Sequence, residues 1–187
     1  MYTKYGIYLS NMQTLTFITE QIVWQEVPNE TSLAFLIAGC PLRCEGCHSA
    51  DSWKAGLGKP LTAEYLAGRL KRYQGLISCV LFMGGEWQSD ELTQLLIAVK
   101  QTGLKTCLYT GLERAELEVV SDGLIQNLDY LKTGRWVMEL GGLGSAATNQ
   151  IFMDLRTGEV LNHWFVRDNP KKTIAITPAE ARFFQTA

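Results

Sequence analysis

Apolar residues fall along this chain in two alternating rhythms, short dense runs and wider helical stripes. Near the start, Leu15-Thr16-Phe17-Ile18-Thr19 and Ile22-Val23-Trp24 are rich in β-branched and aromatic residues, and Ser32-Leu33-Ala34-Phe35-Leu36-Ile37-Ala38 is almost continuously apolar. Successive side chains of a strand point to opposite faces, so an unbroken apolar run predicts a strand buried on both. Past residue 60 the period lengthens. Leu61, Tyr65, Leu66, Leu70 and Tyr73 share one face of a helix introduced by Pro60 and Thr62. Residues 77–82 read as another buried strand. Ser89 then serves as the N-cap of a helix whose stripe is Leu92, Leu95, Leu96 and Val99 and which stops near Gly103. Residues 104–109 predict the next strand, Arg114–Val120 a short helix and residues 128–131 a further strand. Ile151-Phe152-Met153-Asp154-Leu155 and Val160-Leu161-Asn162-His163-Trp164-Phe165 flank Arg156-Thr157-Gly158-Glu159, a pattern for an edge hairpin. The more polar residues 167–187 read as a loosely packed tail with a short helix around 179–184.

Strand and helix thus alternate through the middle of the chain. The pattern predicts an α/β fold of βα units on a parallel sheet, with helices covering both faces. About four units can be counted, too few for a closed eight-stranded barrel of roughly 250 residues. Residues 1–166 are expected to form one domain with an N-terminal β extension, and 167–187 a C-terminal tail.

Composition narrows the function classes. The 187 residues are 47% hydrophobic and 19% charged, ordinary for a packed domain. The 17 basic and 19 acidic residues, net charge −2, are scattered without a block of one sign, so neither nucleic acid nor a membrane surface is an expected partner. No apolar run approaches the roughly 20 residues of a membrane span, and the first 30 residues lack the order of a secretion signal. A cytoplasmic location is expected.

Three of the five cysteines crowd into Cys40-Pro41-Leu42-Arg43-Cys44-Glu45-Gly46-Cys47, which suits a metal site in a reducing compartment. Cys79 and Cys107 sit in apolar segments and read as small buried hydrophobes. The C-x3-C-x2-C spacing could also place sulfurs along a helix face, but Pro41, Gly39 and Gly46 disfavour a helix there. Structural zinc usually takes two separated ligand pairs, and no second pair follows; His48, directly after Cys47, is poorly placed as a fourth ligand. Three thiolates suit a [4Fe-4S] cluster with one iron free of protein, with zinc or inert cysteines as the alternatives.

The loop resembles the signature of the radical S-adenosylmethionine superfamily, and the resemblance implies a partial (βα) barrel of about four to six strands with a C-terminal β-hairpin. It further implies that Cys40, Cys44 and Cys47 ligate the cluster and that its open iron chelates S-adenosylmethionine, whose reductive cleavage yields a 5′-deoxyadenosyl radical. Members commonly carry an aromatic residue before the third cysteine. Gly46 stands there in this chain, leaving the Gly46 backbone and His48 as the nearer candidates for cofactor contact. Met83-Gly84-Gly85-Glu86 follows a strand, where ligands of α/β folds collect. It resembles the superfamily's GGE motif, so Gly84, Gly85 and Glu86 are candidates for holding the cofactor ammonium, a charge-assisted bond for a carboxylate. Thr110, in Tyr109-Thr110-Gly111 at the end of the next strand, is a further cofactor-binding candidate. No catalytic side chain beyond the cluster is expected.

Within the superfamily, Gly46, Tyr109-Thr110-Gly111 and the tract from Leu131-Lys132-Thr133-Gly134-Arg135 to Thr148-Asn149-Gln150 resemble the activases of anaerobic ribonucleoside-triphosphate reductases, over roughly residues 32–152. Such activases take a hydrogen from a glycine of the partner reductase and draw electrons from flavodoxin or ferredoxin. Gly134, Arg135, Asn149 and Gln150 belong to the matching tract but read as turn or surface positions. The loop Gly141-Gly142-Leu143-Gly144 lacks the ending of a P-loop and reads as flexible, near the partner's docking surface. A deazapurine-synthase-like radical enzyme shares both motifs and is the nearest alternative; a small, open barrel favours a protein substrate. A non-enzymatic iron–sulfur carrier or a zinc module is the alternative from another class.

Overall fold

A computed structural model describes residues 14–166; the tail helix expected around 179–184 lies outside them. The described chain forms one eight-stranded mixed sheet in the order β3-β1-β2-β4-β5-β6-β7-β8. Its strands are β1 (Thr16–Val23), β2 (Ser32–Ile37), β3 (Lys59–Pro60), β4 (Cys79–Met83), β5 (Lys105–Tyr109), β6 (Tyr130–Thr133), β7 (Ile151–Asp154) and β8 (Glu159–Val160). The central four, β2, β4, β5 and β6, are parallel. Antiparallel strands flank them, β1 and β3 on one side and the β7–β8 hairpin on the other.

Four helices join the strands: α1 (Ala63–Arg72), α2 (Ser89–Lys100), α3 (Arg114–Val120) and α4 (Asp122–Gln126). Thr62 caps α1, its hydroxyl accepting from the Tyr65 amide at 3.1 Å. Ser89 does not cap α2. A short 3₁₀ turn, Glu86–Gln88, runs directly into the helix, so Ser89 already has helical backbone and Gln88 takes the N-cap position. The two apolar runs at 15–19 and 22–24 prove to be one strand, β1, and α4 was not anticipated because its five residues are too few to show a period. The four parallel strands, with an N-terminal β1–β3 flank and the C-terminal β7–β8 hairpin, bring the sheet to eight strands.

All the helices pack on one face, not two. The strand order advances without reversal from β2 to β6, and right-handed crossovers then place every connecting helix on the same side. Leu33, Phe35, Ile37, Val80, Phe82, Leu108 and Leu131 form that face of the sheet, packed against Leu66, Leu92, Leu96, Leu117 and Leu124. The opposite face carries Ala34, Cys79, Leu81, Cys107, Tyr130 and Phe152, covered by Val27, Leu143 and Leu161 from loops. Cys79 and Cys107 are fully buried, and burial pushes the Cys79 thiol up to about 12, as expected of inert packing groups. Among the described residues no helix is long and apolar enough to cross a membrane.

Candidate functional site

Strand alternation decides what reaches the C-terminal end of the sheet. Met83, Tyr109 and Lys132 are paired in register across β4, β5 and β6. They belong to the face without helices, since their neighbours Phe82, Leu108 and Leu131 point into the helical layer. Beyond that row the chain ends are clamped: Gly84 N–H donates to Tyr109 O and Thr110 N–H to Lys132 O, both at 2.8 Å. The cysteine loop leaves β2 at the same end. Cys40, Cys44, Cys47, Gly84, Glu86 and Thr110 consequently line one cavity of about 170 Å³. Sites of α/β folds collect at this end because loops of several strands converge there.

Glycine is required at Gly84 and Gly85, with φ of +89° and +108°. A Cβ on Gly84 would also stand 2.6 Å from the Trp87 ring. This left-handed pair turns the chain so that Glu86 points back into the core, where it is only 3% exposed. Its Oε1 accepts from the Thr110 hydroxyl at 2.6 Å, and that hydroxyl in turn accepts from the Leu112 amide at 2.9 Å. Thr110 is thereby fixed as the group that aims the carboxylate. Oε2 is buried without a protein donor. Burial holds the Glu86 carboxyl above its ordinary value, against the Thr110 hydrogen bond and the nearby Lys132 charge. A carboxylate kept dry with one free oxygen is built to receive a cationic donor.

Lys132 was not singled out from the sequence, although a lysine closing an otherwise apolar strand is a visible signal. It is 9% exposed and donates to Gly134 O at 3.0 Å. Burial lowers its ammonium to about 8, opposed by Cys44, Cys47 and Glu86. Trp53 and Trp136 also line the cavity, and each has a buried indole N–H without an acceptor. Neither tryptophan was anticipated.

The segment after β6 is stitched into this end. Asn149 Nδ2 donates to Arg135 O at 3.1 Å, Gln150 is buried at the cavity edge, and Arg135 makes a two-pronged pair with Glu116 of α3 at 2.8 and 2.9 Å. The loop 141–144, read as flexible, is instead tied down. Thr148 donates to Gly141 O at 3.2 Å, Ser145 N–H to Gly142 O at 2.9 Å, and Leu143 is buried in the core. Its glycines shape a turn that lets Leu143 plug the open sheet face.

The cysteines are free and partly buried. The amides of Leu42 and Arg43 act on the Cys40 sulfur, opposing the upward shift that burial imposes. Among the described residues no three His, Cys, Asp or Glu side chains stand close enough to hold a single metal ion. The orphaned Glu86 oxygen beside the three thiols fits a cluster that carries an ammonium-bearing ligand.

A family model described as "4Fe-4S single cluster domain" matches residues 31–147. The chain belongs to that family, and its similarity to activating enzymes supports the resemblance to radical S-adenosylmethionine proteins. It is 38% identical over 79 residues to a pyruvate formate-lyase-activating enzyme of Clostridium pasteurianum, 39% of this chain and 33% of that protein. A 7-carboxy-7-deazaguanine synthase of Hyperthermus butylicus is 37% identical over 77 residues, covering 40% and 32%. A pyruvate formate-lyase 1-activating enzyme of Escherichia coli is 31% identical over 99 residues, covering 50% and 40%. The matched stretch spans about a third to two fifths of the length of these relatives. The matches support a [4Fe-4S] cluster and S-adenosylmethionine as cofactors.

Proposed function

We propose that this chain is a glycyl-radical-enzyme activase whose partner is an anaerobic ribonucleoside-triphosphate reductase, with flavodoxin or ferredoxin as electron donor. One observation carries the reading: the buried Glu86 carboxylate, aimed by Thr110, keeps an unpaired oxygen in the cavity lined by Cys40, Cys44 and Cys47. Bound there, the cluster and S-adenosylmethionine supply one-electron chemistry that removes a hydrogen atom from an unactivated carbon. The chain's own residues do the holding and orienting. The three thiolates bind the cluster and leave one iron without a protein ligand. Glu86 takes the ligand's ammonium, Thr110 keeps that carboxylate in one rotamer, and the left-handed Gly84-Gly85 turn lets the ligand come close to the backbone. Lys132 sets a positive charge beside the cysteine sulfurs. The unreversed strand order with helices on one face supports reading the sheet as a partial (βα) barrel, and two of the three relatives are activating enzymes.

The deazaguanine synthase match supports a second reading, a radical enzyme acting on a small molecule. Anaerobic incubation of the reconstituted protein with S-adenosylmethionine, reductant and the purified reductase subunit distinguishes the two. A glycyl radical on the reductase, seen by electron paramagnetic resonance, is the expected result. Cleavage of S-adenosylmethionine without that radical favours the small-molecule reading, and no cleavage at all overturns both.

A further inference from the structure

A groove of about 640 Å³ lies outside the loops that cover the helix-free face of the sheet. The β1–β2 loop gives it Trp24, Gln25, Pro28 and Asn29, and the end of the described chain gives it Trp164 and Phe165. Both walls are fixed in advance. Fully buried Val27 anchors the first, where the Tyr109 hydroxyl donates to Glu26 O, Glu30 N–H donates to Val27 O at 3.1 Å, and Asn29 turns the chain with φ of +63°. Asn162 holds the second. Its side chain accepts from Phe152 N–H at 2.8 Å and donates to Gln150 O at 2.7 Å, and Phe165 packs on Phe152 with ring centroids 5.1 Å apart. Yet Trp24 is 69% and Trp164 56% exposed. Two large apolar rings held apart on preorganised walls form a surface suited to being covered.

The chain continues from that surface. Beyond Val166 stand 21 further residues, and they start two positions after Trp164. Arg167-Asp168-Asn169-Pro170-Lys171-Lys172-Thr173 is polar and contains Asn-Pro, a turn signal, whereas Ile174-Ala175-Ile176 is wholly apolar. Extended, the seven polar residues span up to about 25 Å, enough for the chain to double back across a groove of this size. In an extended triplet Ile174 and Ile176 face the same way. So short a tether sets an effective concentration in the millimolar range, at which even a weak contact stays filled.

We propose that residues 167–187 dock on this groove, the chain reversing at Asn169-Pro170 so that Ile174 and Ile176 cover Trp24 and Trp164. The groove shares Gln25 and Phe165 with a cavity of about 340 Å³ bordered by Cys47 and His48. The docked segment therefore sits at the rim of the cysteine site, and its docking requires neither a cluster nor the activase reading.

The test labels the full-length, anaerobically reconstituted protein with 5-fluorotryptophan. Its five fluorine resonances, assigned by single Trp→Phe substitutions, are followed in wild type, I174D/I176D and F183S/F184S. The change of each resonance between H2O and D2O reads that ring's contact with solvent. Trp24 and Trp164 are expected to show little change in wild type and to gain it in I174D/I176D, with the other three tryptophans and the thermal midpoint unaltered. F183S/F184S should match wild type. Equal values for Trp24 and Trp164 in wild type and I174D/I176D overturn the proposal. Loss of cover in F183S/F184S alone puts a different part of the tail on the groove and overturns it as well. Cover that disappears when wild type is diluted makes a second copy the occupant, with the same consequence. A shift of all five resonances with a lowered midpoint in I174D/I176D assigns the isoleucines to the fold rather than to the groove, which also defeats it.

Discussion

The two ends of the parallel strands treat buried polar groups in opposite ways. At the N-terminal end, Glu30 accepts from Lys105 and, at 2.9 Å, from the Tyr130 hydroxyl. Arg156 reaches the same hydroxyl at 3.0 Å and pairs with Asp154 at 2.5 Å. Asp129 takes the Thr106 amide and hydroxyl at 2.9 and 3.0 Å, with Lys100 at 3.4 Å. Among the described residues at that end, Ser32 Oγ lacks an oxygen or nitrogen partner and has the Cys79 sulfur beside it. At the C-terminal end Glu86, Trp53 and Trp136 each leave a buried atom without a protein partner around one cavity. A buried unpaired group costs stability, so its retention at one end supports the proposal that a ligand completes the hydrogen bonding there. One end is built for the fold and the other for what it binds.

The largest expected effect comes from the cysteine loop. C44A should bring iron and sulfide to baseline after anaerobic reconstitution, while the thermal midpoint of the apoprotein moves little because this cysteine is partly exposed. An unfolded C44A would show that the loop belongs to the stabilising half of the molecule. Next is E86Q, nearly isosteric, which exchanges a charge-assisted bond for a neutral one. S-adenosylmethionine affinity should fall about ten- to hundredfold, the ratio for a bond to a charged group of about 1.5–3 kcal/mol. Apoprotein stability should hold or rise, because burial disfavours the Glu86 charge. Urea unfolding that shows E86Q clearly destabilised would break the contrast between the two ends.

The reverse pattern is expected for E30A. It removes the carboxylate acceptor of Lys105 and of the Tyr130 hydroxyl, which keeps Arg156 as a donor, and should cost about 1–3 kcal/mol in urea unfolding, with Lys105, partly exposed, recovering some of its loss in water. Ligand affinity should stay at wild type. The smallest effect concerns Glu116, whose carboxyl the Arg135 guanidinium first, and the Glu113 amide second, lower from 4.5 to about 2. A folded value below the unfolded one stabilises above pH 4.5, and that stabilisation disappears as pH falls through 2. Acid unfolding of E116Q should lack this segment. High salt should shrink it in the wild type, since the pair is exposed.

What the sequence determined by itself is local or periodic. The cysteine spacing, the Gly-Gly turn before Glu86, the α2 stripe at Leu92, Leu95, Leu96 and Val99, and the span of α3 depend on residues a few positions apart, where turn chemistry and helical period act directly. Element ends blurred wherever a neighbour overrode the local signal, as when the 3₁₀ turn carried Ser89 past its capping role. Tertiary structure alone decided that helices cover one face, because that follows from strand order and crossover hand. It also decided the partners: Thr110 for Glu86 across 24 residues, Tyr130 for Glu30 across 100, and Trp136 for His48. Those pairings require a strand register and a loop path, which no local pattern encodes. The same register turned Lys132 into the cavity that the cysteines line, a placement its strand position hinted at and only the sheet decided.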